Sequence, residues 1–540
     1  MSSTKPKLEL LLARADDARP VLDGGLPLAA LAALPMPRDG RKDTGTRGDH
    51  TADPDDLSKQ RWGVVAPVGL AGDQRLRAIA PLIALRESQQ GAAMRPPYRV
   101  PPGMDAKASL AWRRSTYHPR GVPEAEIPRY LLFLGDIDEI SSELQQVMAA
   151  DCFPGRLVFP ELSGYAAYAE KVVRWESTTA VPGRGLLYAV RDGTGATSQG
   201  RAHLTKPGVG LLAGRVGDGR EVLAIEGSRR PDPDELLVPV SVGAGDALLT
   251  VSHGLGAPSD GWASEGDKRA RLGAMSFGKG ASLSAAELGE TPFLAGGLWF
   301  MLACFGAGCP AESAYEHWLS GISGRAASRI AALREQVAPG SGFVAALPQA
   351  VLANPDGPLA MIAHLDLAWS YSFMDVAENK ARSDWIIRAL EAWMKGRRSG
   401  LALSQLTQHF HQANQELTTS YDNEAERAHR RQSVQPDPRR PHHWMTRNDL
   451  KGYTLLGDPA ARAPGRGEPQ AARPSAIEVR APDAQPSEAS PITAEVSGDA
   501  VQAALVRRIE AAERLEIVEH FEEGSDGEPR LVRRVVTLTA

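Results

Sequence analysis

Two short motifs hold the residue types that a thiol nucleophile and its base require. The segment LLTVSHGLG places His253 and Gly254 directly after an apolar run, and LWFMLACFGAG places Cys304 after another, 51 positions beyond the histidine. Cysteine attacks as a thiolate and needs a neighbouring imidazole or helix N-terminus to lower its pKa. In open α/β sheets such chemistry gathers at the carboxyl ends of strands. The pair therefore predicts a dyad with His253 as base and Cys304 as nucleophile.

Glycines beside this pair fit a peptide substrate. Gly306 and Gly308 follow Cys304 and would leave the backbone open to a substrate carbonyl. The N–H of Gly254 is expected to join that of Cys304 in holding an oxyanion, and one such donor is worth roughly 10²–10³ in rate. A lone histidine or cysteine is most often structural, but the matched pair, its spacing and the glycines favour catalysis.

The remaining thiols and histidines give weaker signals. Cys309 precedes Pro310 with no predicted strand leading into it, so it is expected to be structural or a redox neighbour, and Cys152 in a DCFPG turn receives no role. Two histidine pairs could suggest a metal site: His409 and His411, and His442 and His443. The first pair lies two apart on a helical stretch, and the second lies in an Arg/Pro loop without a Cys or Glu cluster. Neither a metal nor a cofactor is expected.

Composition limits the classes of protein. The 540 residues carry a formal net charge of −5, so no global basic field points to nucleic acid. Three cysteines are too few for a disulfide framework and suit a reducing compartment. The sequence shows neither a leader-type apolar core nor an 18-residue apolar stretch. A cytoplasmic protein without a membrane span is expected.

Apolar runs that alternate with helical patterns predict the elements that position the pair. The runs expected to form strands are RWGVVAPVGL, RYLLFLGD, GRLVFPEL, GLLYAVRDG, DALLTVSHG, LWFMLACFG and PLAMIAHLDLAW. Their alternation with helices predicts an α/β fold of three layers, in which a mainly parallel sheet is covered on both faces. GYTLLGDP is expected to be a last strand at the edge.

Composition shifts divide the chain into five predicted regions. They are a flexible arm over residues 1–60, an α/β subdomain over 61–180, a catalytic domain over 181–460, a disordered linker over 461–497 and a small appendix over 498–540. In the appendix, AVQAALVRRIEAAERLEIVEHF is expected to form a helix and RLVRRVVTLTA a strand.

At these motifs the chain resembles the caspase-like clan, and within it the gingipain-like and CHAT-type bacterial members more than animal caspases. The blocks that carry the resemblance are RYLLFLGDIDEI, TVSHG, FMLACFGAG, PLAMIAHLDLAWSYSF and GYTLLGDP. Together they cover about residues 60–460, and the spacing of histidine and cysteine matches the caspase-type signature. The chain departs from animal caspases at Leu302 and Phe305, on either side of the Ala-Cys core.

The resemblance implies a role for each residue of the motifs. His253 would be general base and acid, Cys304 the nucleophile, and Gly254 with Cys304 the oxyanion donors. A carboxylate after an earlier strand orients the histidine in gingipain-like enzymes, and Asp192 at the end of GLLYAVRD is the matching position. An ordinary exposed turn aspartate is an equally good interpretation of that residue.

The resemblance also implies that a charged side chain selects the P1 residue of a substrate. Arg201 would select an acidic P1, since a guanidinium binds carboxylate bidentately. Asp366 in LDLAW would instead bind a basic P1, and the sequence favours the acidic choice only slightly. Trp369 and Ser370 are expected to form the pocket wall, although Trp369 fits the core equally well.

These features predict a cysteine endopeptidase that cleaves a protein or peptide substrate, of the regulated kind found in bacterial defence or signalling. The alternative is a caspase-like scaffold that has kept the dyad and acts by binding a regulatory partner through residues 498–540.

Overall fold

The computed structural model describes two compact units, Met1–Pro469 and Gln470–Ala540. In the first unit the described residues are 7–33, 53–178, 183–217, 219–289, 291–323, 327–376, 378–433, 435 and 437–465. In the second they are 492–495, 514–523 and 529–539.

The strands of the first unit are short, and most are buried along their whole length. They are β1 Lys7–Leu8, β2 Leu12–Arg14, β3 Leu26–Pro27, β4 Trp62–Pro67, β5 Tyr98–Val100, β6 Tyr130–Leu134, β7 Phe153–Leu157, β8 Gly185–Ala189, β9 Val222–Ile225, β10 Ala247–Val251, β11 His253–Gly256, β12 Met275–Gly278, β13 Ala281–Leu283, β14 Leu298–Leu302, β15 Gly308–Cys309, β16 Phe343–Val344, β17 Ala360–His364, β18 Met374–Asp375, β19 Lys380–Ala381 and β20 Tyr453–Gly457.

Helices alternate with these strands through most of the unit. They are α1 Leu57–Gln60, α2 Leu70–Ala78, α3 Ala80–Gln90, α4 Ala106–Trp112, α5 Ser142–Met148, α6 Leu162–Glu176, α7 Gly195–Gly200, α8 Lys206–Val216, α9 Asp234–Val240, α10 Glu265–Arg271, α11 Ala285–Leu288, α12 Glu316–Gly321, α13 Ala327–Gln336, α14 Ala346–Ala353, α15 Asp384–Met394, α16 Ser399–His429 and α17 Arg440–Lys451.

Ten of the strands form one sheet in the order β5-β4-β6-β7-β20-β17-β14-β10-β8-β9. Within the described residues, neighbouring strands are parallel except β17 and β20, which are antiparallel. Strands buried on both faces are continuously apolar, as the runs of β6 and β14 are, and β10 departs from this only at Thr250. The expected three-layer α/β fold with a mainly parallel sheet is confirmed.

The strand β20 does not lie at an edge, contrary to the sequence expectation. It is buried along its length between β7 and β17, in the middle of the sheet. Because β20 is parallel to β7 and antiparallel to β17, it joins two parallel halves that run in opposite directions. The predicted regions 61–180 and 181–460 therefore contribute to one continuous sheet.

The flexible arm expected over residues 1–60 is wrong for the part that the structure describes. Leu8, Leu11 and Leu12 are almost fully buried, and β2 pairs in parallel with β11. The leucine-rich run LELLL buries apolar area that a solvated arm would expose, which is the reason for the difference. Residues 34–52 of the expected arm lie outside the described residues.

The second unit contains a three-stranded antiparallel sheet of β21 Ile492–Glu495, β22 Arg514–Glu523 and β23 Pro529–Thr539, in the order β21-β23-β22. The strand β22 lies where the sequence predicts the end of a helix, and β21 lies within the predicted linker. The run RLEI alternates apolar and charged residues, which suits a strand that pairs along its length with β23. The first part of the expected helix, over 500–513, lies outside the described residues, as do residues 466–491 of the linker.

Candidate functional site

The sheet brings the two predicted dyad residues to the carboxyl ends of two neighbouring strands. Neighbouring strands β10 and β14 are parallel, with Val251 opposite Leu302. His253 and Cys304 each follow two residues after these partners, so they leave the sheet at the same level. The backbones there are in close contact: a Cβ added to Gly254 would lie 1.9 Å from the carbonyl oxygen of Cys304. Only glycine fits this position, which accounts for the His-Gly pair.

The buried imidazole of His253 is held by the loop that follows β8. Its Nε2 lies 2.9 Å from the Thr194 hydroxyl and 3.6 Å from Oδ2 of Asp192. The hydroxyls of Thr194 and Thr197 both donate to Oδ1 of Asp192, at 2.9 and 2.6 Å. Asp192 is therefore not an exposed turn residue, because its side chain is only 4 % exposed and organises the loop.

These contacts favour the tautomer of His253 in which Nε2 carries the proton. The Thr194 hydroxyl has one hydrogen, which it gives to Asp192, so it faces Nε2 with a lone pair. The Nε2 atom is then the protonated nitrogen, and Nδ1 keeps its lone pair. That Nδ1 is buried and has no hydrogen-bond partner in the part of the chain that the structure describes. Burial lowers the pKa of His253 and the Asp192 charge opposes this, so the ring is neutral and able to accept a proton.

The thiol of Cys304 is fully buried and contacts backbone groups of Ala368 and Leu11. Its Sγ accepts from the Ala368 N–H at 3.2 Å and lies 3.6 Å from the Ala368 carbonyl oxygen. Burial raises the pKa of Cys304 well above its usual range, against the opposing effect of the bond from Ala368. In this arrangement the group is a thiol, not a thiolate.

The two backbone donors predicted to hold an oxyanion converge on a single atom. The N–H of Gly254 donates to the carbonyl oxygen of Leu11 at 2.8 Å, and the N–H of Cys304 donates to the same oxygen at 3.0 Å. Two N–H groups aimed at one carbonyl oxygen form the geometry of an oxyanion hole. The sequence motifs indicate both donors. They do not indicate that a carbonyl oxygen of this same chain accepts from both of them.

The loop after β17 bonds to the same segment, on the side of Leu11 away from Gly254 and Cys304. The Leu11 N–H donates to the Ala368 carbonyl at 3.2 Å, and the Ser370 N–H donates to the Glu9 carbonyl at 3.3 Å. The Trp369 side chain points away into the core, with its ring 5.4 Å from that of Trp318. Trp369 and Ser370 therefore pair through their backbone with the segment from Glu9 to Leu11, while the indole of Trp369 belongs to the core.

Asp366 does not have the geometry of a reader for a basic side chain. Both oxygens of its buried carboxylate accept from the Ser313 hydroxyl, and further bonds come from the N–H groups of Ala314 and Leu367. Burial raises the pKa of Asp366 to about 6, against the lowering effect of these bonds. Its backbone oxygen accepts from the Phe305 N–H at 3.0 Å, so Asp366 anchors the turn after Cys304 instead.

Arg201 likewise does not form the buried bidentate site expected for an acidic side chain. Its guanidinium is 41 % exposed and pairs with Glu226 at 3.1 Å. It lies on the wall of a surface cavity of about 550 Å³ that Asp192 also lines. Arg201 lies in a helical turn directly after α7, and its partner Glu226, directly after β9, is a contact that the helix alignment of the sequence cannot give.

The other candidates from the sequence have structural partners. Cys309 forms the two-residue strand β15 with Gly308, and burial raises its pKa to about 11. Cys152 donates to the Met148 carbonyl at 3.0 Å. All four histidines contact neighbouring side chains: His409 with Trp385, His411 with Phe410, His442 with Tyr371 and His443 with Glu416.

Two features are absent from the part of the chain that the structure describes, a cluster of metal-ligating residues and a helix able to span a membrane. None of the described residues forms a group of three or more His, Cys, Asp or Glu suited to a metal ion. No helix among them has the length and apolar character that a bilayer crossing requires.

Thr194 and Thr197 are functional candidates that the sequence interpretation missed. The run Asp-Gly-Thr-Gly-Ala-Thr contains their signal, because aspartate commonly binds hydroxyls and amides two or more residues further on.

Comparisons with known proteins give likenesses among solved structures alone. No family model matches the chain, and no curated protein matches it. The chain is similar to the Arg-specific cysteine proteinase gingipain R (RgpB), with a TM-score of 0.45 and 12% identity over 89% of this chain and 92% of that chain. A complex of the RgpB pro- and mature domains from Porphyromonas gingivalis gives 0.43 and 12% over 89% and 93%. A structure described as a protease gives 0.43 and 12% over 88% and 90%.

Proposed function

We propose that the chain is a cysteine endopeptidase in which Cys304 is the nucleophile and His253 moves the proton. The observation that carries this proposal is the convergence of two N–H groups, from Gly254 and Cys304, on the oxygen of one peptide carbonyl. A structural cysteine at a strand end has no need of such a pair. A peptidase needs it, because charge develops on that oxygen in the transition state.

The reaction follows from the atoms available at the edge of the sheet. Nδ1 of His253 takes the proton from Sγ of Cys304 as the sulfur bonds to the carbonyl carbon of the substrate. The oxyanion accepts from the N–H groups of Gly254 and Cys304. The C–N bond then breaks, and the leaving amine takes the proton from His253. Water, activated by the same imidazole, hydrolyses the thioester and restores the thiol.

Asp192 and Thr194 complete the machinery by orienting the imidazole. They hold Nε2–H, so that Nδ1 stays the basic atom through the cycle. The negative charge of Asp192 also stabilises the imidazolium that forms during attack, which is the role of the third group in catalytic triads.

A variant series tests the dyad. Cys304→Ala and His253→Ala should each reduce cleavage of a fluorogenic peptide library to background, while far-UV circular dichroism stays unchanged. Cys309→Ala is the matched control, since Cys309 is also buried but lies in β15, and it should keep the parent rate. Parent activity in Cys304→Ala would overturn the assignment of the nucleophile.

The second candidate function is a partner-binding scaffold with little peptidase activity. Its supporting observation is the buried thiol of Cys304, whose pKa is raised by burial. In that case residues 498–540 would bind a regulatory protein. Neither the parent chain nor a variant in which the segment around Leu11 has left the site would then cleave any member of the library.

A further inference from the structure

The residues from Glu9 to Leu12 lie across the proposed active site as an extended strand. The N–H and the carbonyl of Leu11 are both bonded, to Ala368 on one side and to the two oxyanion donors on the other. Two residues earlier, the Glu9 carbonyl accepts from Ser370, and Leu10 lies opposite Trp369 in an antiparallel bridge. Bonding at alternate residues is the pattern of an antiparallel strand pair, and it fixes both the direction and the register of the segment.

This register identifies the residue in the P1 position. In a bound substrate, the carbonyl oxygen of P1 is the one that the oxyanion donors hold. Leu11 supplies that oxygen here, so Leu10 and Glu9 take the P2 and P3 positions. Leu12 follows on the leaving-group side, where it lies opposite Gly254 in the pairing of β2 with β11.

The surroundings of Leu11 are apolar and closed. Its side chain is 1 % exposed and belongs to the main hydrophobic cluster of the unit. The two charged residues expected to read P1 are engaged elsewhere, Arg201 with Glu226 and Asp366 with Ser313. A charged side chain in this position would lose its hydration without gaining a partner, which is costly.

We propose that residues 9–12 are a tethered substrate mimic, and that the groove selects substrates with a leucine-type apolar P1 residue. The proposal rests on the peptidase function proposed above and deepens it. A free substrate binds only when this segment leaves the groove, so the segment competes with every substrate at the high effective concentration of a tethered ligand.

The test uses the full chain and three peptidyl acyloxymethyl ketones that differ in one residue. Each has the form Leu-Glu-Leu-X, with Leu, Arg or Asp as X. The thiolate of Cys304 displaces the carboxylate leaving group and keeps the peptidyl methyl ketone as a thioether, which intact-mass spectrometry counts. Leu11→Asp, which places an unpartnered charge in the apolar position, should release the segment. Leu70→Asp is the matched control, since Leu70 is exposed on α2.

The expected result is labelling of Cys304 by the Leu probe about tenfold or more faster than by the Arg or Asp probe, the range that a hydrophobic pocket provides. Leu11→Asp should raise the rate with the Leu probe at least about tenfold, and Leu70→Asp should leave it unchanged. Leu11→Ala, a milder change, should raise the rate by less and covers the case in which Leu11→Asp fails to fold.

The contrary outcomes separate the two proposals. Faster labelling by the Arg or Asp probe would overturn the apolar P1 and leave the peptidase intact. Equal rates with the Leu probe in the parent, Leu11→Asp and Leu11→Ala proteins would overturn the tethered mimic. If iodoacetamide alkylates Cys304 in Leu11→Asp but no peptidyl probe does, the peptidase function itself is wrong.

Discussion

At the scale of single residues, the site depends on how one proton is placed. Asp192 accepts from two threonine hydroxyls, and a Thr194 hydroxyl that donates there faces Nε2 of His253 with a lone pair. The arrangement assigns the basic lone pair to Nδ1 without any charged contact at that atom. Among the described residues Nδ1 has no hydrogen-bond partner, and Sγ of Cys304 bonds to the backbone of Ala368. The imidazole and the thiol are both neutral, and the proposed reaction ionises them as the proton moves.

Replacement of Asp192 by asparagine should shift the pH profile of cleavage. The Asp192 charge raises the pKa of His253 against the larger lowering effect of burial, so its loss lowers that pKa further. Activity requires the neutral ring, so the acidic limb of kcat/KM should move to lower pH. At the plateau kcat/KM should fall by about 10- to 100-fold, because the imidazolium loses its stabilising charge. The measurement is kcat/KM against pH with one peptide.

Asp260→Asn provides the control for this shift, since Asp260 is exposed in a loop after β11. An acidic limb that stays in place, or moves to higher pH, in Asp192→Asn would show that this carboxylate does not act on His253.

At the scale of elements, a buried ion cluster ties the middle of the sheet to the helices of its first half. Asp458, directly after β20, accepts from Nε of Arg86 in α3 at 2.8 Å and from the Trp62 indole of β4 at 2.9 Å. The same guanidinium donates to both oxygens of Glu176 in α6, at 2.7 and 2.8 Å. The Arg86 charge lowers the pKa of Glu176 against the effect of burial.

Asp458→Ala should therefore destabilise the fold strongly. Removing one partner of a buried ion network typically costs about 3–5 kcal/mol. Here the loss of Asp458 leaves Nε of Arg86 and the indole N–H of Trp62 without their buried acceptor. Asp356→Ala is the matched control: its pair with Arg174 is about half exposed on both sides, and such pairs contribute about 0–1 kcal/mol. Denaturant unfolding followed by tryptophan fluorescence compares the two variants. Equal midpoints would contradict the structural role of the cluster.

At the scale of the whole molecule, the proposed chemistry lies in one unit. His253, Cys304, Asp192 and Leu11 all belong to Met1–Pro469. The strands β17, β14, β10 and β8 run in one direction, so their carboxyl ends meet at one edge of the sheet. The strand β20 runs in the opposite direction to β17, and its carboxyl end therefore lies on the side of the sheet away from the proposed site.

A chain that stops after Pro469 should keep the site. Its labelling rates with the peptidyl probes should equal those of the full chain within about twofold, because no proposed site residue lies beyond that position. Intact-mass spectrometry of the labelled proteins gives both rates. A large loss of labelling in the soluble shortened chain would assign part of the site's function to residues 470–540.

The sequence predicts what depends on local pattern. Apolar runs identify the strands before His253 and Cys304, and their parallel pairing follows from the alternation with helices. The position of β20 could not be predicted, because strand order depends on pairings far apart in the chain. For the same reason LELLL looks like part of an arm: its partner, β11, lies about 240 residues away. The side chains of Arg201 and Asp366 are held by partners far away in the chain, Glu226 and Ser313, and spacing does not encode such contacts.

The order of these segments along the chain also has a consequence during synthesis. Residues 9–12 leave the ribosome long before Cys304, by about 15–60 s at a rate of about 5–20 residues per second. On the proposed assignment, the segment that occupies the site therefore already exists when the proposed nucleophile is made, and the completed site closes on it as the sheet assembles. We expect a newly made chain to be harmless to its neighbours from the moment it folds, so that release of the segment, not translation, starts its activity.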